Sequence, residues 1–355
     1  MNNIEKIRAA LRRENTEAIL ILSFSNRRYA TGFPSSAGAA LITQKDAYFF
    51  VDSRYIEAAE KSISGAHVEM TTAAEPYSVK INRVLTEKGI KTLGIEQNAM
   101  SYAEYLEYSE KLTAKLVPSQ GILDSLRAVK EPEEVELLIA AQRIAEKALE
   151  QVLPMIKPGV TERDIAAELT YRMRRLGADN NSFDPIVITG EKTSMPHGVP
   201  GDVRVAAGDF VTMDFGCIYG GYCSDMTRTV AVGSASDEMK KVYNTVLRAQ
   251  LAGIEAARAG ISGRELDGAA RSVITQAGYG EYFGHSFGHS LGLDIHESPN
   301  ASPTNNDPLP AGAVVSAEPG IYLPGRFGVR IEDVIVLRDG GCEDITKAPK
   351  ELMIL

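Results

Sequence analysis

Apolar residues recur along this chain with two different periods, and the switches between them outline its elements. Ile4, Ile7, Ala10 and Leu11 fall at helical spacing in a segment otherwise rich in charge, which predicts a surface helix with one buried stripe. The runs AILILSF (18–24), AYFFVD (47–52) and KTLGIE (91–96) are short and apolar, as buried strands are. SRYIEAAEKSI (53–63) and EPYSVKINRVLTEKG (75–89) read as helices between them, so the first part of the chain is an α/β layer. A long helix is then expected from Pro132, which suits a first turn because its missing N–H would have no partner there. Acidic residues follow it where the helix dipole favours them, and Val135, Leu138, Ile139, Ala145, Leu149 and Val152 supply an apolar stripe. With 355 residues two domains are expected, and this helix divides the chain into residues 1–125 and 126–355.

The second part repeats itself. PGVTERDI (158–165) matches AGISGREL (259–266), and both carry a capping box, Thr161 with Asp164 and Ser262 with Glu265. AAGDFVTMDFG (206–216) then matches PAGAVVSAEPG (310–320), which sets Asp214 on Glu318 and Gly216 on Gly320. A strand follows in each half, SDMTRTVAV (224–232) and VRIEDVIVL (329–337), with Asp225 roughly against Glu332. Fragments in the same order at a nearly constant offset predict two related α/β halves about a pseudo-twofold axis.

Composition and charge narrow the function classes. The net charge of −9, with no basic cluster, argues against nucleic acid as a partner. No apolar run reaches membrane-spanning length. Cys217, Cys223 and Cys342 do not make a disulfide framework, which places the protein in the cytoplasm, and the first two read as small apolar strand residues.

The candidate chemistry lies in acidic residues within apolar strands and in GHSFGHSLGLDIHE (284–297), which holds His285, His289 and His296 out of five histidines in the chain. A two-residue turn at Gly220-Gly221 would set Gly216 opposite Asp225 and Asp214 opposite Thr227. Asp214 and Asp225 would then be diagonal neighbours with Cα atoms roughly 7–8 Å apart, able to share an ion. In VRIEDVIVL, read as one strand, Arg330 and Glu332 share a face. Buried carboxylates without counter-charge would neutralise themselves by taking up protons. Four of them, Asp214, Asp225, Glu318 and Glu332, match the charge of two divalent cations, and one imidazole completes an oxygen/nitrogen donor set suited to Mn, Co, Fe or Zn. Taken singly, a strand aspartate is more often a turn residue or a paired surface charge; the coincidence of two repeat-related pairs with a histidine cluster is what singles these out.

The Asp pair, GHSLGLDIHE, SAEPGIY and VRIEDVIVL, in that order, resemble the pita-bread metallopeptidases, the creatinase/methionine aminopeptidase/prolidase superfamily. The resemblance is strong over about residues 130–355 and weaker over 1–125, which look like the first domain of prolidases, aminopeptidases P and creatinases. It implies an α/β (α+β) chain with a creatinase-type N-terminal domain and a pseudo-twofold pita-bread catalytic domain. By the family pattern Asp214, Asp225, His289, Glu318 and Glu332 are metal ligands, with Asp225 and Glu332 bridging two ions. It also implies two divalent ions, manganese foremost with cobalt or zinc as alternatives. His197 (in SMPHGVP) and His296 match histidines that touch substrate and the developing oxyanion, Glu318 matches a proton shuttle, His285 lines the pocket, and Arg330 orients a ligating carboxylate. His67 remains as a structural histidine.

What the family does would then be hydrolysis of the Xaa-Pro bond at the N-terminus of short peptides by a hydroxide bridging the metals, in a homodimer. Strict dipeptidases of this group carry an arginine four residues after the HE histidine; here Asn300 stands in HESPN, which points to an aminopeptidase P-like enzyme, with an Xaa-Pro dipeptidase as the alternative. Creatinase needs no metal and lacks the full ligand set, and methionine aminopeptidase usually lacks the first domain. A catalytically inactive binding module on the same fold is the reading from a different class.

Overall fold

The computed structural model describes residues 3–355, and the chain divides between Arg127 and Ala128 into two units. The first unit runs α1 (Ile4–Arg13), β1 (Ala18–Ile21), α2 (Phe24–Thr31), β2 (Ala39–Thr43), β3 (Ala47–Val51), α3 (Ile56–Ser62), β4 (His67–Met70), α4 (Tyr77–Lys88), β5 (Thr92–Ile95), α5 (Tyr102–Lys111), β6 (Lys115–Pro118) and α6 (Gln120–Ala128). Its strands form one mixed sheet in the order β4-β3-β2-β1-β5-β6, antiparallel from β1 through β3 and parallel elsewhere. α1 buries the four residues that its spacing marked, Ile4, Ile7, Ala10 and Leu11.

The second unit opens with α7 (Pro132–Val152) and α8 (Glu162–Arg175), followed by β7 (Asn180–Asn181), β8 (Ile186–Thr189), β9 (Phe210–Phe215), β10 (Cys217–Tyr219), β11 (Tyr222–Cys223) and β12 (Met226–Ala231). Its second half is α9 (Asp237–Ala256), α10 (Gly263–Gln276), β13 (Gly288–Ser290), β14 (Glu297–Ala301), β15 (Val314–Ala317), β16 (Gly320–Leu323), β17 (Phe327–Arg330), β18 (Asp333–Arg338) and β19 (Gly341–Asp344). Each half lays a helix pair over a sheet. Leu149, Ile165 and Leu169 pack with Val187, Val211 and Met213 in one core, and Val246, Leu266 and Ile274 pack with Val315, Ile335 and Leu337 in the other. Burying side chains of this size stabilises a fold by about 1.5–3 kcal/mol each. Both capping boxes form: Thr161 Oγ1 accepts from Asp164 N at 3.1 Å and Ser262 Oγ from Glu265 N at 3.2 Å, and each carboxylate accepts the cap residue's own N–H in return.

The hairpin of the first half has the register that its turn predicts. Gly220 and Gly221, at φ +57° and +92°, close a two-residue loop, Tyr219 faces Tyr222, and Asp214 faces Thr227. VRIEDVIVL is not one strand. It breaks at Ile331-Glu332 into β17, paired with β16, and β18, paired with β15 and β19. The break has a cause in the other half, because Glu332 N donates to Thr227 O at 3.1 Å and Thr229 Oγ1 to Arg330 O at 3.0 Å, which draws the segment across to β12.

Arg228 fastens this crossing. Its guanidinium is fully buried, and all of its N–H groups are used: Nε to Pro349 O, Nη1 to Thr227 O and Glu332 O, Nη2 to Asp333 Oδ1 and Ala348 O, at 2.6–2.9 Å. Two glycines permit equally close backbone contacts beside the acidic residues. A Cβ on Gly216 would stand 1.9 Å from Ser224 O, and one on Gly288 would stand 1.8 Å from Ser316 O.

Candidate metal centre

Every acidic residue singled out in the sequence reaches one cavity of about 510 Å³ in the second unit. Asp214 comes from the end of β9, Asp225 from the residue before β12, Glu318 from the residue after β15, and Glu332 from the link between β17 and β18. His289 enters from β13, and its orientation follows from its hydrogen bond. A carbonyl can only accept, so Nδ1–H donates to Ser290 O at 3.2 Å, and Nε2, carrying no proton, offers its lone pair to a metal. Nε2 lies 3.4 Å from Glu318 Oε1 and 3.5 Å from Asp225 Oδ2. One ligand atom from each of Asp225, His289 and Glu332 falls within 4.8 Å of the others, the spread expected around an ion with bonds of about 2.0–2.2 Å.

The electrostatics of this cavity are those of an incomplete site. Arg330 is the one permanent cation among its described lining residues, against five carboxylates, Asp184 and the four acids singled out above. Burial, reinforced by the charges of Asp214 and Glu318, pushes the Asp225 carboxyl well above the carboxylate range. Burial and then Asp225, Glu318 and Asp214 do the same to Glu332. Glu318 is pushed up to about 7, chiefly by burial and further by Asp214, although Arg330 opposes the shift. Asp214 takes one hydrogen bond, from Arg330 Nη2 to Oδ2 at 2.6 Å, while Oδ1 is buried with no partner among the described residues. A buried carboxylate oxygen without a donor is costly unless a cation serves it. The residues present therefore fit divalent ions, with hard oxygens and one imidazole nitrogen.

The remaining residues frame this cluster. His296 packs edge-on against His289 with ring centroids 4.3 Å apart, and His197 lines the same cavity. His285 donates Nδ1–H to Ser286 O, so its Nε2 accepts from Tyr322 Oη at 2.8 Å, and Tyr322 Oη in turn accepts from Arg330 Nη1 at 2.8 Å. Burial lowers the His285 pKa to about 4 and also lowers those of His289 and His296, so these rings are neutral near pH 7. His67 lies in β4, exposed, with its ring 5.1 Å from that of Tyr48. Cys217 and Cys223 are buried in their strands.

Three polar partners escaped the sequence reading. Tyr322 joins His285 to Arg330. Thr227 donates to Glu332 Oε2 at 2.7 Å and accepts from Arg330 Nε at 3.1 Å. Ser316 donates to Glu318 Oε1 at 3.1 Å and accepts from His289 N at 3.0 Å. Ser316 and Tyr322 sit within the SAEPGIY motif, and Thr227 lies opposite Asp214 in the expected register, so all three positions carried a signal. The cavity's apolar lining, Phe183, Ile186, Pro196 and Ile295, was not legible.

Comparison with known proteins gives the family. Residues 136–339 match the model of metallopeptidase family M24, and residues 3–129 match that of the creatinase/prolidase N-terminal domain. The chain is 44% identical to an uncharacterized peptidase of Bacillus subtilis over 99% of both chains. It is similar to the structure of an Xaa-Pro dipeptidase from Bacillus anthracis, with 44% identity, 99% coverage of each chain and a TM-score of 0.96. It also matches the X-Pro aminopeptidase from Thermotoga maritima, at 35% identity, complete coverage of both chains and a TM-score of 0.93. The chain belongs to metallopeptidase family M24, a family of hydrolases that depend on divalent metal ions.

Proposed function

We propose that this protein is an Xaa-Pro peptidase whose second unit holds two divalent ions on Asp214, Asp225, His289, Glu318 and Glu332. The observation that carries the reading is the convergence of Asp214, Asp225, Glu318, Glu332 and His289 from both halves on one cavity that has a single permanent cation, Arg330, in its lining. The ions would supply Lewis acidity and an acidified water to attack the peptide carbonyl. The chain's own groups do the rest. Glu318 takes a proton and returns it to the departing prolyl nitrogen. His296 and His197, on the cavity wall, donate to the oxygen on which charge develops. Arg330 orients Asp214. An Xaa-Pro bond has no N–H for a peptidase to grip, so recognition falls on the free amine and the carbonyl.

Two substrate lengths fit. Asn300 on the cavity wall, where strict dipeptidases carry a carboxylate-capping arginine, supports an aminopeptidase acting on longer peptides, as does the similarity to the Thermotoga maritima enzyme. Similarity to the Bacillus anthracis enzyme supports a dipeptidase equally. Manganese is the first metal to try. A homodimer belongs to the same reading, and so does a cytoplasmic setting, which rests on the three free cysteines. The test is hydrolysis of Ala-Pro and Ala-Pro-Ala after metal removal and restoration with Mn or Co. Cleavage of both identifies the aminopeptidase, and cleavage of the dipeptide alone identifies the dipeptidase. Metal uptake without cleavage of either would end the Xaa-Pro assignment.

A further inference from the structure

Lys130 and Glu297 form a buried ion pair, Nζ to Oε2 at 3.0 Å, with side chains 2% and 5% exposed. Taking two charges out of water is unfavourable unless geometry and further hydrogen bonds compensate, so a pair this deep calls for a reason. Its position supplies one. Glu297 directly follows His296 and opens β14, and its other carboxylate oxygen accepts from Asp294 N at 3.0 Å, which closes the loop 291–296 onto its own base. That loop is not held by a regular ladder, because the β13–β14 register shifts between His289 and Ser290. It is tied instead by Gly292 N to Asp294 O at 3.0 Å and Cys223 N to Gly292 O at 2.8 Å. It also runs directly against the carboxylate, since a Cβ on Gly292 would stand 2.8 Å from both Glu297 oxygens. Lys130, two residues before α7, fixes the carboxylate from outside the loop, while its own N–H is anchored to Gly312 O at 3.0 Å.

We infer that Lys130 and Glu297 are a positioning pair for His296: the ion pair sets the loop that holds the ring over His289 and Ile295 on the cavity wall. This rests on the peptidase reading, in which His296 meets the developing oxyanion. A misplaced donor weakens stabilisation that exists only in the transition state, so the effect belongs in kcat and not in KM.

The test compares wild type, K130M/E297L, E297D and each of these changes in a His296→Ala background, on Ala-Pro peptides. The double variant removes both charges and avoids leaving one buried and alone; E297D keeps the charge and retracts it by one methylene. The expected result is a kcat lower by about ten- to a hundredfold with KM within about twofold and metal content unchanged. In the His296→Ala background the same changes have no further effect, because the group they position is gone. Wild-type kcat in a folded K130M/E297L, or an equal loss in both backgrounds, overturns the inference and leaves the peptidase reading intact. If the double variant does not fold, E297D decides by the same criterion. A wild-type protein inactive on every Xaa-Pro peptide overturns both.

Discussion

Glu332 and Asp333 are neighbours in sequence, both essentially without solvent contact, yet they belong to opposite kinds of site. Asp333 is finished. Arg228 Nη2 reaches Oδ1 and Gln250 Nε2 reaches Oδ2, each at 2.7 Å, and Lys350 pairs with it as well. Burial alone would raise its carboxyl, but the charges of Arg228 and Lys350 outweigh burial and hold it low. Glu332, facing the other way, has the Thr227 hydroxyl on one oxygen and three other carboxylates for company, so burial drives its carboxyl up and those neighbours add to the shift instead of opposing it. Burial of an acid is therefore no sign of function by itself. The sign is a shortage of donors and cations around it.

Exchanging either group tests that distinction, and the largest effect is expected at Glu332. Glu332→Gln should lower Xaa-Pro hydrolysis by more than roughly a hundredfold, since even partners outside a metal's ligand shell are worth 10–100-fold. The metal-free variant should melt no lower than metal-free wild type, because the change removes an acid that burial and its acidic neighbours penalise. A large drop in that melt would class Glu332 with Asp333. Asp333→Asn should behave in the opposite way and lose about 3–5 kcal/mol of stability in urea unfolding, as Arg228 and Lys350 are left with an uncompensated buried charge. The smallest effect is the pH dependence of the metal-free protein. Glu318 titrates at about 7 when folded against an ordinary 4.5, so the folded chain holds a proton that the unfolded chain releases between those values. That contribution is complete below about pH 4.5 and lost as pH rises through about 7, a decline of about 3 kcal/mol. Asp333 contributes in the reverse sense, fully above its ordinary carboxyl value and lost towards acid. Without metal, melting temperatures should therefore fall as pH rises from about 4.5 to 7, through Glu318, and fall separately as pH drops below about 3.8, through Asp333, and adding Mn should lift the neutral end most.

Much of the fold could be read in advance because it is written in local periods. The buried face of α1, both capping boxes and the Gly220-Gly221 register each depend on residues a few positions apart, and the structure has all of them. Elements that answer to distant partners were harder. β2 and β4 went unmarked, since short runs such as AALIT carry no period of their own, whereas α5 was missed although Ser101 and Glu104 form a capping box at its start. VRIEDVIVL looked like one strand because nothing within it announces that Thr227 and Thr229, about a hundred residues earlier, will pull its middle aside. The candidate site was legible through the repeat, which converts long-range convergence into local likeness between two stretches of sequence. Lys130 and Glu297 have no counterpart in the repeat and gave no such sign.

Arg228 has a bearing on which ions the cavity can accept. A guanidinium with every N–H committed has no slack, so the two halves are bolted at a single spacing next to Glu332. Cations of different radius must then be accommodated by swinging carboxylate side chains and not by sliding strands, and a shift in metal preference would have to come from the acids themselves while the joint beneath them stays fixed.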